Sequence, residues 1–178
     1  MIIIFDTETT GLTPPRRVPL VYWPRVIEVA CLVCEGPEIV EEYSQLIQPQ
    51  CPIPEKITKI TGLTAADLEG MPPFHDVLPA LVQRFSHCDM VVAHNLPFDW
   101  AMIDSEVRRL QATFPWPAKQ ICTVQQYKHL YGRYMKQHEL YEHFLKKPQA
   151  AAHRALDDVK ALHECLVAAK FFEEVTHA

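Results

Sequence analysis

The sequence predicts an α/β protein built on a mixed five-stranded sheet, an antiparallel meander followed by parallel strands, flanked by helices. Two observations predict it. Short apolar, β-branched segments come first and close together, and later ones alternate with stretches of helical periodicity. The segments Ile2–Phe5 and Met90–Ala93 are apolar throughout rather than at every second position, as expected of strands covered on both faces. A chain of 178 residues with 48% hydrophobic and 22% charged residues can bury a core of its own and reads as neither disordered nor coiled coil.

Taken in order, Ile2–Phe5 is the first strand, ended by Thr10-Gly11-Leu12. Thr13–Pro24 contains four prolines and two arginines, a loop with no room for a helix. Arg25–Cys34 and Glu41–Gln48 read as the next two strands, turned around Gly36-Pro37. Ile53–Leu68 carries two short helical stretches hinged at Gly62, and Pro73–Phe85 is an amphipathic helix. Met90–Ala93 is the fourth strand. Pro97 sits where a first helical turn begins, and that helix continues to about Leu110. Ile121 marks a fifth strand, followed by helices around Val124–Tyr131 and Glu139–Leu145 and a long final helix from about Arg154 to Glu174. No repeat, low-complexity tract or linker divides the chain, so residues 1–178 read as one domain.

A net charge of −5 argues against a protein that coats duplex nucleic acid. The charge is uneven, however. Residues 1–70 hold 5 basic and 10 acidic side chains, whereas between Lys119 and Arg154 seven basic residues (Lys119, Lys128, Arg133, Lys136, Lys146, Lys147, Arg154) face only Glu139 and Glu142. That stretch is either a solvated basic face or a rail for a polyanion, with the acidic half holding cations. The six cysteines do not form a metal or disulfide framework. Cys31-Leu32-Val33-Cys34 lies on a strand, where an odd offset points the thiols to opposite faces, so buried thiols in a reducing compartment are expected. No apolar run approaches a membrane span, and Met1–Phe5 lacks a basic leader and is broken by Asp6. The expectation is a soluble, cytoplasmic protein.

Asp6 and Glu8 come at the end of the first strand, where period two puts both carboxylates on one side. Open α/β sheets place ligands at that end, and a hard divalent cation would relieve the repulsion. Two ordinary exposed acids fit that position equally well. Asp99 falls in the first turn of the helix after Met90–Ala93; taken alone, it simply complements the helix dipole. In the last helix Asp158 lies among Ala155, Ala161 and Leu162, while Asp157 faces Arg154 and Lys160. A carboxylate on an apolar stripe needs a partner for its charge, so Asp158 reads as a ligand and Asp157 as surface. His153 fits the loop or first turn before that helix, over the site.

Together, Phe5-Asp6-Thr7-Glu8-Thr9-Thr10-Gly11-Leu12, His94-Asn95-Leu96-Pro97-Phe98-Asp99 and His153-Arg154-Ala155-Leu156-Asp157-Asp158 resemble the DEDDh branch of the 3′–5′ exonucleases, the superfamily of bacterial proofreading subunits. Weaker matches are Val26–Ala30, Ile60–Leu63 and Ile121–Thr123, and the resemblance runs in order to about Leu166. It implies a ribonuclease-H-like fold and two-metal hydrolysis of phosphodiesters to 5′-nucleoside monophosphates. Asp6, Glu8, Asp99 and Asp158 would hold two Mg²⁺ or Mn²⁺ ions, with Asp6 between them, and His153 would be the general base. Backbone around Thr9 would meet the terminal sugar, Leu12 and Ile60 would wedge against the last base, and His94, Asn95 and Phe98 would line the path of the next nucleotide. Such contacts recognise any base by its face; plain core packing is the other reading of Leu12, Ile60 and Phe98. Glu28 stays outside the site.

The chain departs from the family in its long Thr13–Pro24 segment. Only about 20 residues follow Asp158, so no polymerase-binding tail is expected and a stand-alone nuclease is read, with the Lys119–Arg154 stretch facing the incoming strand. Single-stranded DNA or frayed ends, in replication or repair, is the preferred substrate. RNA or oligoribonucleotides on the same chemistry come second, and an inactive nucleic-acid-binding module third. His138-Glu139-Leu140-Tyr141-Glu142-His143 imitates a zinc-protease helix, but its histidines at i and i+5 point about 140° apart where such a site needs i and i+4.

Overall fold

In the computed structural model, which describes residues 1–15, 18–150 and 153–176, the apolar runs form one sheet. Among the described residues its strands are β1 (Ile2–Thr9), β2 (Val26–Glu35), β3 (Glu38–Leu46), β4 (Met90–Ala93) and β5 (Lys119–Cys122), in the order β3-β2-β1-β4-β5. β1 to β3 form an antiparallel meander, and β4 and β5 add on parallel to β1. This is the mixed ribonuclease-H-like sheet that the sequence implied.

Period two sorts the side chains into two cores. Ile2, Ile4, Leu32, Cys34 and Val92 face α7 (Gln137–Leu145), α8 (Ala155–Ala168) and α9 (Phe171–Thr176). Ile3, Phe5, Cys31, Val33 and Val91 face α3 (Phe74–Ser86) and α4 (Leu96–Arg109). Cys31 and Cys34 thus lie on opposite faces, as their odd offset requires. Not all thiols are buried, however: Cys51 is exposed and Cys122 partly so, because both sit where the chain leaves the cores. The helical pair hinged at Gly62 is α1 (Glu55–Thr61) and α2 (Ala65–Leu68), with Gly62 at φ 75°, a left-handed turn that glycine adopts without strain.

Several boundaries differ from the sequence reading: β1 runs on past Phe5 to Thr9, and β3 spans Glu38–Leu46 rather than Glu41–Gln48. The final helix is two, because Lys170 turns left-handed (φ 57°) between α8 and α9 and so brings both Phe171 and Phe172 into the core. The helix around Val124–Tyr131 divides at Tyr127 into α5 (Thr123–Gln126) and α6 (Lys128–Tyr131). The proline-rich loop, of which Arg16 and Arg17 lie outside the described residues, contains a short 3-10 turn at Leu20–Tyr22. That loop is held down from α4. Arg109 donates through Nη2 to the carbonyls of Leu20, Trp23 and Pro24, and the buried Glu106 carboxylate accepts two bonds from Arg25 and one from the Val26 amide. The Thr10 amide in turn donates to the Arg25 carbonyl and the Arg25 amide to the Thr10 hydroxyl oxygen, so the network fixes the turn that leaves β1.

Candidate active site

β1, the central strand, outlasts its apolar run and carries Asp6, Thr7 and Glu8 to its carboxyl end. There Glu8 lies opposite Glu28 and the register slips between Glu8 and Thr9, an irregularity of the kind that re-aims side chains beside functional sites. Asp6 and Glu8 follow Ile2 and Ile4 onto the α8 side, where Asp158 meets them. Oxygens of Asp6, Glu8 and Asp158 fall within 4.8 Å of one another. Asp99 lies outside that triple. It comes from α4 on the other face, so it meets β1 through Thr7, whose amide (3.1 Å) and hydroxyl (2.8 Å) both donate to Asp99 Oδ1. It remains near enough to Asp6 to raise that residue's pKa.

The entry to α8 is set by tertiary contacts. Asp158 Oδ1 accepts bonds from Gln149 Nε2 (2.9 Å) and Gln137 Nε2 (3.1 Å), and Oδ2 accepts from the His153 amide (2.8 Å). Arg154 forks onto Glu28 with two 3.0 Å bonds, and the Ala155 amide adds a third at 3.3 Å. Glu28, 1% exposed, thus ties the first turn of α8 to β2. His153 precedes the helix in a left-handed conformation (φ 67°), exposed on the wall of the same cavity.

Confinement of these acids shows in their protonation. Burial and then repulsion from Asp99, Glu8 and Asp158 hold Asp6 well above the ordinary carboxylate range. Burial, with Asp158 and Glu28 adding, pushes Glu8 up to about 8, and burial pushes Asp99 up to about 7 although the Thr7 bonds oppose it. Burial also raises Asp158. An all-oxygen set that resists ionisation for want of positive charge fits hard divalent cations.

The cavity, about 750 Å³, is also lined by His94, Asn95, Phe98, Tyr134, Lys136 and His138. A neighbouring cavity of about 630 Å³ shares Cys122 and Gln125 with it but is lined by no carboxylate. His94, expected on the nucleotide path, lines the cavity and is also held by the protein. Its Nε2 donates to the Met135 carbonyl (3.1 Å), its Nδ1 accepts from the Thr123 hydroxyl (3.0 Å), and burial drops its pKa to about 4. It is a neutral strut with both ring nitrogens engaged. Asn95, left-handed (φ 69°), caps α4, and Phe98 is half-buried on the wall. Thr9, Leu12 and Ile60 are not on the lining of this cavity. Thr9 is buried and donates to the Gly11 carbonyl, whereas Leu12 (77% exposed) and Ile60 (42% exposed) are not core residues.

The basic stretch is less of a rail than its sequence suggests. Arg154 is taken by Glu28, Arg133 by Glu139, and Lys147 lies 3.9 Å from Glu164. Lys119 starts β5, at the end of the sheet away from the acids. The His138–His143 segment forms no metal cluster among the described residues, although His138 does line the cavity. Sequence reasoning missed Thr7, Gln137 and Gln149, which orient the acids, and the grip of Glu28 on α8. Only Glu28, a carboxylate inside an otherwise apolar strand, gave any signal.

Comparison with known proteins places this geometry. The Exonuclease family profile matches residues 3–166. The DNA polymerase III subunit epsilon of Aquifex aeolicus is 30% identical over 176 residues, covering 97% of this chain and 81% of that protein. A PolC-type DNA polymerase III of Caldanaerobacter subterraneus subsp. tengcongensis is 29% identical over 167 residues, 93% of this chain; the chain spans only 11% of that relative's length. Exonuclease X, solved in complex with 5′ overhanging duplex DNA, superposes with a TM-score of 0.65 at 27% identity, covering 96% of this chain and 93% of its own. No helix among the described residues is long and apolar enough to cross a membrane.

Proposed function

The chain belongs to the exonuclease family, and from that premise we propose that it is a 3′–5′ enzyme of the DEDDh type, hydrolysing single-stranded DNA or frayed 3′ ends to 5′-nucleoside monophosphates with two Mg²⁺ or Mn²⁺ ions. The observation that carries this reading is the convergence of Asp6, Glu8 and Asp158 within 4.8 Å, with Asp99 raising Asp6 from the opposite face. Asp6, Glu8, Asp99 and Asp158 would hold the ions. When bound, the ions supply acidification of the attacking water and charge stabilisation of attacking and leaving oxygens.

The chain's own residues do the rest. Thr7 fixes one oxygen of Asp99, and Gln137, Gln149 and the His153 amide fix Asp158, so that neither carboxylate can swing away. His153, on the exposed lip of the cavity, takes the proton from the attacking water as general base. Leu12 and Ile60, exposed apolar side chains, wedge against the terminal base, the Thr9 backbone meets its sugar, and Asn95 and Phe98 border the preceding nucleotide. DNA is preferred because the relatives are named for DNA polymerases.

Degradation of a 3′-labelled strand in Mg²⁺, run side by side on matched DNA and RNA, tests the proposal. Asp6→Ala and Asp158→Ala should each lose about a thousandfold or more of the rate. Unchanged activity in both would remove the mechanism, and faster loss of the RNA strand would reverse the substrate preference.

A further inference from the structure

We propose that Tyr134, with Lys128 and Lys136 beside it, forms a stacking subsite for a base upstream of the scissile phosphate, so that the enzyme grips more of the strand than its last residue. The inference deepens the exonuclease reading and rests on it for the identity of the ligand.

Once Arg133, Lys147, Arg154 and Lys119 are removed from the basic stretch, the cations left near the acids are few. Lys136 lines the cavity that holds Asp6, Glu8 and Asp158, and so does Tyr134. Tyr134 is 60% exposed, and Lys128 Nζ stands over one face of its ring, 4.7 Å from the centroid, which leaves the other face for a base. A single exposed aromatic means little by itself, and Tyr131 shows why. It is 53% exposed, but it leans on His143 and is absent from the cavity wall.

Tyr134 differs in being aimed at the site and in being firmly mounted. The next residue, Met135, is buried, and its carbonyl accepts the 3.1 Å bond from His94 at the end of β4. One residue further, the Lys136 amide donates to Glu139 at 2.8 Å, which fixes the start of α7. The ring therefore stands on a segment pinned to the same strand end that leads to Asp99. The bond from His94 Nε2 to Met135 is accounted for as the mount of this platform, while Nδ1 on Thr123 fixes the ring that makes it.

The ligand follows from the chemistry. An aromatic face stacks any nucleobase, and ammonium groups within reach of it neutralise the phosphates on either side. Two divalent cations in the cup would offset its four carboxylates but leave none over for the phosphates upstream, which these ammonium groups can meet. The ligand class is a single-stranded oligonucleotide, read without base preference.

The test is binding of fluorescein-labelled DNA strands of two and six nucleotides with phosphorothioate 3′ linkages, in Ca²⁺, followed by anisotropy. Wild-type protein should bind the longer strand more tightly. Tyr134→Ala should lose roughly fivefold to a hundredfold of that gain, and Tyr134→Trp should keep it. Lys128→Ala should lower the slope of log affinity against log salt by about 0.7. An undiminished length gain in Tyr134→Ala, or equal weakening on both strands, would overturn the subsite. Wild type that binds in this Tyr134-dependent way yet degrades no strand in Mg²⁺ would overturn the exonuclease reading and leave the subsite standing. Degradation without any effect of Tyr134 would do the reverse.

Discussion

Asp157 and Asp158 are adjacent in sequence and unlike in consequence. One turn position carries Asp157 into solvent, while Asp158 is fixed by two glutamine amides and the His153 backbone. The same backbone bond separates two roles of His153, since its amide orients Asp158 whatever its side chain is. His153→Asn, which tolerates the left-handed backbone, should therefore lower kcat about a hundredfold to ten-thousandfold while the rise in Tm on adding Mg²⁺ persists. Loss of both together would make His153 a structural residue rather than the base. Of the acids only Asp158, a carboxylate on an apolar stripe, stands out against its local pattern. Asp6, Glu8, Asp99 and His153 took their meaning from the family resemblance, since an exposed strand end or a helix dipole accounts for those acids equally well taken singly. Gln137 and Gln149 were not legible, since a glutamine on a polar stretch looks the same whether it meets water or a ligand-bearing aspartate. The partners of His94 were not legible for a related reason. Its place beside Asp99 was right, but its partners, Thr123 and Met135, lie 29 and 41 residues away and leave no trace in the local sequence.

Elements were legible wherever hydrophobic period and length agreed. β4 and the hinge at Gly62 were read directly, because four apolar residues between turn signals admit only a buried strand and a left-handed glycine ends a short helix. The break at Lys170 was not, for no glycine or proline marks it and its cause is the pull of Phe171 and Phe172 into the core. The start of α8 depends likewise on a contact spanning 126 residues, the fork of Arg154 on Glu28. Removing the guanidinium strands a carboxylate that is 1% exposed. Arg154→Ala should then cost about 3 kcal/mol in urea unfolding, the low end for a broken buried pair because the arginine side is partly in water. It should also lower kcat as the first turn of α8 loosens around Asp158, and Arg154→Lys should recover the charge but not the fork. Wild-type stability in Arg154→Ala would show that packing of α8 alone fixes the site.

Over the whole molecule, acids from β1, α4 and α8 are gathered at one end of the sheet, and the fold bears their repulsion. Glu8, pushed up to about 8 by burial, Asp99, pushed up to about 7, and the raised Asp6 and Asp158 all hold protons in the folded chain that the unfolded chain has released. Between about pH 4 and pH 8 these carboxylates bind more protons in the native state than in the unfolded one and so lower stability as pH rises; His94, held near 4, works the other way up to about pH 6.5, so the fall is clearest above that point. The direction is opposite to that of a carboxylate held by a salt bridge, whose stabilisation is lost in acid. Divalent cations can take the place of those protons, and they bind the folded cup far better than the unfolded chain. Metal-free protein should therefore melt lower at pH 8 than at pH 5.5, and millimolar Mg²⁺ should raise Tm by about 5 °C or more at pH 8 but much less at pH 5.5. Asp6→Asn, which removes a buried charge opposed by Asp99, Glu8 and Asp158, should raise the metal-free Tm at pH 8 and shrink the Mg²⁺ increment. Scanning fluorimetry at constant ionic strength decides it: a Tm without pH dependence, or an Mg²⁺ increment equal at both pH values and in Asp6→Asn, would mean that the four acids do not share the strain that a pair of cations is suited to relieve.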